Sequence, residues 1–383
     1  MDTALTWRHR WFDRWLTTRD RLVASERFQR WANAFPLTRP IARRRARELF
    51  DLCAGFVYSQ VLLACVRLRL FEQLQAAPLD AATLAARNGL TLDAMQRLLA
   101  AAVSLRLLEQ RSDARYGLGM LGAALVGNPG VVKMIEHHAL LYADLRDPVA
   151  LLRGERRGER ETELSRYWAY AGNPDAAALG AEQVADYSEL MAASQPLVTR
   201  EVLAAYPLKR HRRLLDVGGG DGSFVCAAAQ AAPRLELALF DLPAVAQRAT
   251  RRFAQAGLGV RAQAFGGDFR RDALPAGADL VTLVRVLFDH PDETVVELLR
   301  AVHRALPPAG TLLIAEPMAE ASGAEPMGAA YFGFYLMAMG RGRARAPQDF
   351  QRLLTAAGFG PLRVVPTPSP LQTGVLVVQP ARR

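Results

Sequence analysis

The sequence predicts an α/β protein. A doubly wound, mostly parallel sheet of seven strands fills the C-terminal half, preceded by an N-terminal helical domain of winged-helix type. Three observations predict this. From Arg212 onward, short β-rich runs alternate with segments of helical period. The first run ends in a glycine loop, Gly218-Gly219-Gly220-Asp221-Gly222, which opens a helix. Between Asp80 and Leu118, two capped helices joined by Asn88-Gly89 lead into a short hairpin. The chain has 383 residues, 51% hydrophobic and 22% charged, which is ample for a core and excludes global disorder.

Residues 1–45 read as a basic extension. The first 50 residues hold 12 arginines, no lysine and 5 acids, so +7 of the chain's +10 lies there. Trp7, Trp11 and Trp15 recur at i, i+4 and i+8, among Arg8, Arg10, Arg14 and Arg19. On a helix they form one aromatic stripe. Such a stripe suits a bilayer interface, and equally a helix packed on the protein or on a partner subunit. The Arg43, Arg44, Arg45 and Arg47 cluster fits a solvated face or a lipid contact.

Residues 46–125 form the expected winged-helix domain. Glu48–Arg67 has apolar residues at helical spacing. Asp80 caps a helix over Ala81–Arg87, and Thr91 caps one over Leu92–Leu105; Leu107–Glu109 and Tyr116–Leu118 make the wing. A basic winged helix raises a DNA-binding reading. The second helix offers only Arg97 as a base and is rich in Ala and Leu, so burial in a dimer interface is expected and no nucleic acid. Residues 126–200 read as a helical linker, and 201–383 as the α/β domain, with the change of pattern near 195–205.

The expected strands are Leu214–Val217, Leu235–Phe240, Val260–Phe265, Leu280–Val284, Thr311–Ala315, Leu362–Val365 and Gly374–Val378. The three cysteines, Cys53, Cys65 and Cys226, make no disulfide framework and no zinc motif, so a reducing, cytoplasmic compartment and no metal are expected. The opening MDTALTWRHRWFDRWL lacks the apolar core of a secretory signal, and no apolar run suggests a transmembrane helix.

Acids stand at the tips of successive strands. Asp216 ends the first, before the glycine loop. Asp241 ends the second, where a carboxylate can accept both ribose hydroxyls of an adenosine. In Gly266-Gly267-Asp268-Phe269, the acid can accept from an adenine amino group and the ring can stack. The ordered set LLDVGGGDG, FDLP, GGDF, VLFDHPDE, ALPPAGTLLIAE and TAAGF resembles the S-adenosylmethionine-dependent O-methyltransferases of the caffeate type, over nearly the whole chain. Within that family, residues 27–72 and 327–350 resemble the hydroxyneurosporene and demethylspheroidene O-methyltransferases of purple photosynthetic bacteria, which methylate tertiary hydroxyls of acyclic carotenoids.

The resemblance implies a class I, Rossmann-like methyltransferase domain and a homodimer. It implies that Asp216, Gly218, Gly219 and Gly220 line the methionine part of S-adenosylmethionine. Asp241 with Leu242 holds the ribose, and Gly267, Asp268 and Phe269 the adenine. Arg285 is a further cofactor contact, and Met191 lies beside the methyl group. Gln195 stands where some relatives use a serine on the cofactor.

The family's basic histidine, in a VLHDW-type motif, is Phe288 here, and a histidine, His290, replaces the tryptophan. A tertiary alcohol is too weak an acid to ionise before attack, but the oxonium formed as the C–O bond closes loses its proton readily. A late acceptor suffices. His290 is the first candidate, Glu316 the second, and His137 with His138 the third; proximity and desolvation without a base compete with all of them. Tyr331 and Tyr335, in the Met- and aromatic-rich run 327–339, are the expected substrate contacts beside Phe288. The rival readings are a C-methyltransferase of a bacteriochlorophyll-type tetrapyrrole, a small-phenol methyltransferase and a non-catalytic winged-helix regulator. Peripheral contact with the inner or photosynthetic membrane follows from the apolar substrate and the Trp/Arg segment.

Overall fold

A computed structural model describes residues 2–155, 161–168, 185–320, 326–368 and 373–381. The chain divides into two units, Met1–Val126 and Gly127–Arg383.

The first unit opens with helices Asp2–Ala24, Glu26–Ala34 and Arg39–Arg67. The third begins well before the expected Glu48, because Pro40 fits a first helical turn and the arginines after it are good helix formers. It buries only Leu63, Cys65 and Val66, and leaves Leu49, Phe50, Leu52, Phe56 and Val57 exposed. By length and composition alone it is long and apolar enough to cross a membrane. The sequence reading, which started it late, expected no such helix. Helix Leu70–Ala76, two further helices and a wing follow. Asp80 accepts a hydrogen bond from the Thr83 amide at 2.8 Å, and Thr91 Oγ1 accepts from the Ala94 amide at 3.2 Å. Such caps contribute about 1 kcal/mol each. Gly89, at φ +65°, closes the turn between them. Helix Leu92–Ser104 buries Met95, Leu99 and Ala102, and its Arg97 pairs with Asp93 at 2.8 Å. Strands β1 (Leu79–Asp80), β2 (Leu108–Gln110) and β3 (Arg115–Leu118) form an antiparallel sheet in the order β1-β3-β2.

The second unit is built on a seven-stranded sheet: β4 (Arg213–Val217), β5 (Glu236–Asp241), β6 (Ala262–Gly266), β7 (Leu280–Val284), β8 (Thr311–Glu316), β9 (Arg363–Val365) and β10 (Gly374–Val378). The order is β6-β5-β4-β7-β8-β10-β9, parallel except for β10, which is antiparallel to both neighbours. Helices cover both faces. The central strands are therefore buried on both sides and read as continuous apolar runs such as LVTLV. Val260 lies outside β6 and is fully exposed, because the backbone turns at Leu258 before the strand begins. Val198 and Val202 of helix Ala185–Ala205 pack with Leu214, Phe224 and Leu239. A separate cluster gathers Leu141, Leu164, Trp168, Phe288, Tyr335 and Met339. The strand order reverses between β4 and β7, which opens a crevice at the carboxyl ends of the strands, where such sheets bind ligands.

Candidate active site

The glycine loop follows β4 directly. Asp216 is buried, and its Oδ1 accepts from Thr282 Oγ1 of β7 at 2.7 Å. Its Oδ2 is buried without a partner among the described residues. Burial pushes this carboxyl up to about 7. Gly218 and Gly220 have φ of +71° and +60°. A Cβ on Gly219 would stand 2.5 Å from Asp216 Oδ2 and 2.7 Å from Leu239 Cδ1, so only glycine leaves this concavity open. Asp241, at the tip of β5, accepts from the Gly220 amide at 2.8 Å and the Leu242 amide at 2.7 Å. Burial raises it to about 6, against those two bonds. At the tip of β6 the Gly267 amide donates to the Asp241 carbonyl at 2.9 Å, and Asp268 Oδ1 accepts from the Arg270 amide at 2.9 Å.

Beyond the loop lies a cavity of about 500 Å³, walled by apolar side chains including Val131, Met134, Ile135, Phe288, Phe332 and Met339. His138, Arg285, Asp289, Tyr331 and Tyr335 supply its polar groups, with Trp168 beside them. His138 Nε2 lies 2.6 Å from Tyr331 Oη. Behind the wall, His137 Nε2 lies 2.8 Å from Tyr335 Oη, which accepts from Trp168 Nε1 at 3.0 Å. A π-helical turn, Pro326–Phe332, runs into helix Gly333–Met339 and puts both tyrosines on one face. Burial lowers His137 to about 4 and lowers His138, so both rings are neutral at pH 7. Burial raises Asp289 to about 7, and Arg285 opposes it. Arg285 holds φ +60° at the end of β7, a strained conformation for a residue with a side chain.

The O-methyltransferase domain family matches residues 142–360, and the O-methyltransferase dimerisation domain matches 50–128. The chain is 44% identical to the demethylspheroidene O-methyltransferase of Cereibacter sphaeroides, over 94% of each chain. It is 41% identical to that of Rhodobacter capsulatus, over 93% of this chain and 88% of that one. Among solved structures, the apo methyltransferase SibL is 26% identical with a TM-score of 0.73, covering 88% of this chain and 99% of that one. Human N-acetylserotonin methyltransferase in complex with S-adenosylmethionine is 25% identical with a TM-score of 0.70, covering 88% and 98%.

The chain belongs to the S-adenosylmethionine-dependent O-methyltransferase family. The residues at the strand ends of this O-methyltransferase fit that cofactor. A buried carboxylate oxygen without a partner among the described residues suits an ammonium, the glycine loop leaves room a Cβ would fill, and a second acid stands at the ribose position of the fold. The dimerisation-domain match supports a homodimer and includes the exposed Phe50, Leu52, Phe56 and Val57.

The expected site residues separate into groups. Asp216, Gly218, Gly219, Gly220, Asp241, Leu242, Gly267, Asp268 and Phe269 lie together at the carboxyl ends of β4, β5 and β6. Phe288, His138, Tyr331 and Tyr335 line the cavity, and so does Arg285, expected on the cofactor. The Met191 side chain lies outside the described residues. The two expected catalytic groups are absent from the lining. His290 turns its ring edge-on to Phe269, at 5.6 Å, and burial lowers it to about 4. Glu316 is buried, and its Oε1 accepts from the Val286 and Leu287 amides at 2.8 and 2.6 Å. It fixes the turn after β7, and burial pushes it up to about 8. Three residues escaped the sequence reading: Asp289 and Trp168 on the cavity, and the buried Arg345 beneath the loop. Asp289 stood inside the quoted VLFDHPDE motif and could have been found there.

Proposed function

We propose that this O-methyltransferase transfers the methyl group of S-adenosylmethionine to a tertiary hydroxyl of an acyclic carotenoid. The observation that carries the reading is the apolar cavity, with Phe288 on its wall in place of a basic side chain. The resemblance to demethylspheroidene O-methyltransferases supports the substrate class.

When bound, S-adenosylmethionine supplies a methyl group on a cationic sulfur, an electrophile that needs no further activation. Asp216 and the Gly218–Gly220 backbone hold its methionine part, Asp241 the ribose, and Asp268 with Phe269 the adenine. The side chains of Phe288, Phe332, Tyr335 and Trp168 exclude water and confine the alcohol oxygen, so catalysis is chiefly positioning and desolvation. A polyene end fits this cavity, whereas a phenol would find no base at Phe288.

The test is methyl transfer from labelled S-adenosylmethionine to a hydroxylated acyclic carotenoid in detergent, a bacteriochlorophyllide and a catechol. Label in the carotenoid alone supports the reading. Label in the tetrapyrrole or the catechol overturns the substrate, and no label with cofactor bound favours a non-catalytic role.

We further propose a peripheral place on the cytoplasmic face of the inner membrane. Trp11, Trp15 and Trp31 are 62%, 51% and 50% exposed, and Arg19 sits 5.7 Å over the Trp15 ring. The Trp7 side chain lies outside the described residues. A second copy would bring the same positive segment against this one, whereas an anionic bilayer complements it. Changing Arg10, Arg14 and Arg19 to Gln is expected to reduce sedimentation with phosphatidylglycerol vesicles; unchanged partitioning refutes the contact.

A further inference from the structure

We propose that Tyr331 and His138 form the proton path of the reaction: Tyr331 Oη takes the proton of the substrate hydroxyl while passing its own to His138 Nε2. The proposal rests on the alcohol-methylating reading above and assigns the group that reading leaves open.

Among the described residues, two His–Tyr pairs meet this cavity, and one of them is open to it. Tyr335 Oη accepts from Trp168 Nε1 at 3.0 Å and lies 2.8 Å from His137, which is not part of the lining. With both of its hydrogen-bonding directions used, Tyr335 is a wall. Tyr331 and His138 both line the cavity, 2.6 Å apart. Among the described residues, the other neighbour of Tyr331 Oη is the weak acceptor Met134 Sδ at 3.9 Å. A neutral His138 has one ring nitrogen free to accept. With Nε2 accepting from the phenol, the Tyr331 oxygen keeps a lone pair for a substrate hydroxyl.

Burial raises Tyr331 above its ordinary value, so the phenol does not ionise in advance. It gives up its proton only as another arrives, and an oxonium supplies one. The alcohol oxygen forms its bond to the methyl carbon as the carbon–sulfur bond breaks, and the sulfur leaves as a neutral thioether. The electron pair of the oxonium O–H bond stays on the ether oxygen. Its proton moves to Tyr331 Oη, and the tyrosine's own proton moves to His138 Nε2. The positive charge thus ends on an imidazolium, which returns its proton to water once the product leaves. Arg285, Asp289, His137, Tyr142 and Tyr335 are the other titratable groups around this pair among the described residues. Among them Asp289, raised by burial to about 7, is the rival acceptor.

The experiment compares Tyr331→Phe, His138→Gln and Asp289→Asn in the full chain. It uses labelled S-adenosylmethionine and an acyclic carotenoid bearing one tertiary hydroxyl, with calorimetric binding of S-adenosylhomocysteine alongside. Tyr331→Phe and His138→Gln are each expected to lower kcat about 100-fold, with S-adenosylhomocysteine binding and KM little changed. Glutamine still accepts a hydrogen bond from Tyr331, so a merely structural histidine would be rescued by it. The wild-type rate is expected to fall on acidification through a pKa below 6.5, and that limb is expected to vanish in His138→Gln. Retention of wild-type kcat within about 3-fold in either variant overturns the path. So does loss of the acid limb in Asp289→Asn alone. ¹⁵N NMR of labelled histidines gives a reading independent of turnover, and a protonated Nε2 on His138 at pH 7.5 overturns the proposal. If the wild type methylates only a tetrapyrrole or a catechol, the substrate reading fails, and the same variants judge the proton path on that acceptor.

Discussion

Replacing Arg345 by Met tests what holds the catalytic loop in place. Arg345 is fully buried. Its Nη1 donates to the Leu287 carbonyl at 2.7 Å and its Nη2 to the His290 carbonyl at 2.7 Å. Nη2 and Nε donate to Asp292 Oδ1 at 2.7 and 2.9 Å. The neighbouring Arg343 amide donates to the Phe288 carbonyl at 3.0 Å. The 342–345 segment therefore straps the loop that carries Phe288 and Asp289. Methionine keeps the bulk and removes every donor. Two carbonyls left without their charged donor cost about 1–3 kcal/mol each. The Asp292 side chain is 34% exposed, so water recovers most of its loss, and about 0.5 kcal/mol is added. The sum is about 2.5–6.5 kcal/mol, or a fall in Tm of roughly 10 °C or more for a domain of this size. Thermal unfolding followed by circular dichroism, with methyl transfer assayed well below the transition, reads both effects. A loosened loop should also cost about tenfold in kcat, since misplacement by about 1 Å costs that or more. A Tm within about 2 °C of wild type would show that the loop does not depend on this clasp.

Other expectations follow from single observations. Gly219→Ala places a methyl group against Asp216 Oδ2 and Leu239, so binding of S-adenosylhomocysteine should fall about 100-fold or more; Gly259→Ala, with nothing within 4 Å, is the control, and equal affinities would refute the fit. Asp216 is raised to about 7 and the cofactor brings positive charge, so binding at pH 6 should release protons and weaken on acidification. Calorimetry in two buffers of different ionisation heat measures the release, and a value of zero refutes it. Glu316 is raised from 4.5 to about 8 in the folded chain, so its contribution to stability is complete below pH 4.5 and is lost as pH rises toward 8. The unfolding free energy of wild type relative to E316Q should therefore decline across that window, and a flat difference contradicts the assignment.

What could be read in advance was what local chemistry decides. Asp80 and Thr91 cap their helices because the cap forms within three residues of the capping side chain. The central strands were legible because burial on both faces leaves no polar alternation. Asp216 and Asp241 were legible because a residue at a strand tip has its place fixed by the sheet. Arg345 was not, since an arginine in GRGRAR reads as a solvated charge until the fold brings two carbonyls and Asp292 around it. His290 misled for a geometric reason. Leu287–Asp289 is a 3₁₀ turn, which rotates about 120° per residue, so side chains two positions apart point in different directions. Phe288 faces the cavity, while His290 meets Phe269.

Phe288→His asks whether the missing family histidine matters to an alcohol. Phe288 is 6% exposed and packs edge-on to Phe332 with ring centres 6.3 Å apart. A histidine there enters an apolar wall, so desolvation holds its pKa below 6.5. Such a base cannot ionise a tertiary alcohol before attack. After attack it has nothing to add to an acceptor already at Tyr331, and its polar ring costs about 1–3 kcal/mol of packing. The substitution should therefore lower carotenoid methylation about tenfold. A phenol is different, because at a pKa near 10 it is within reach of a nearby imidazole. F288H should gain measurable transfer to catechol even as it loses the carotenoid. Faster transfer to the carotenoid would mean that the alcohol's proton is removed early, and would refute both the late-proton chemistry and the Tyr331–His138 path built on it.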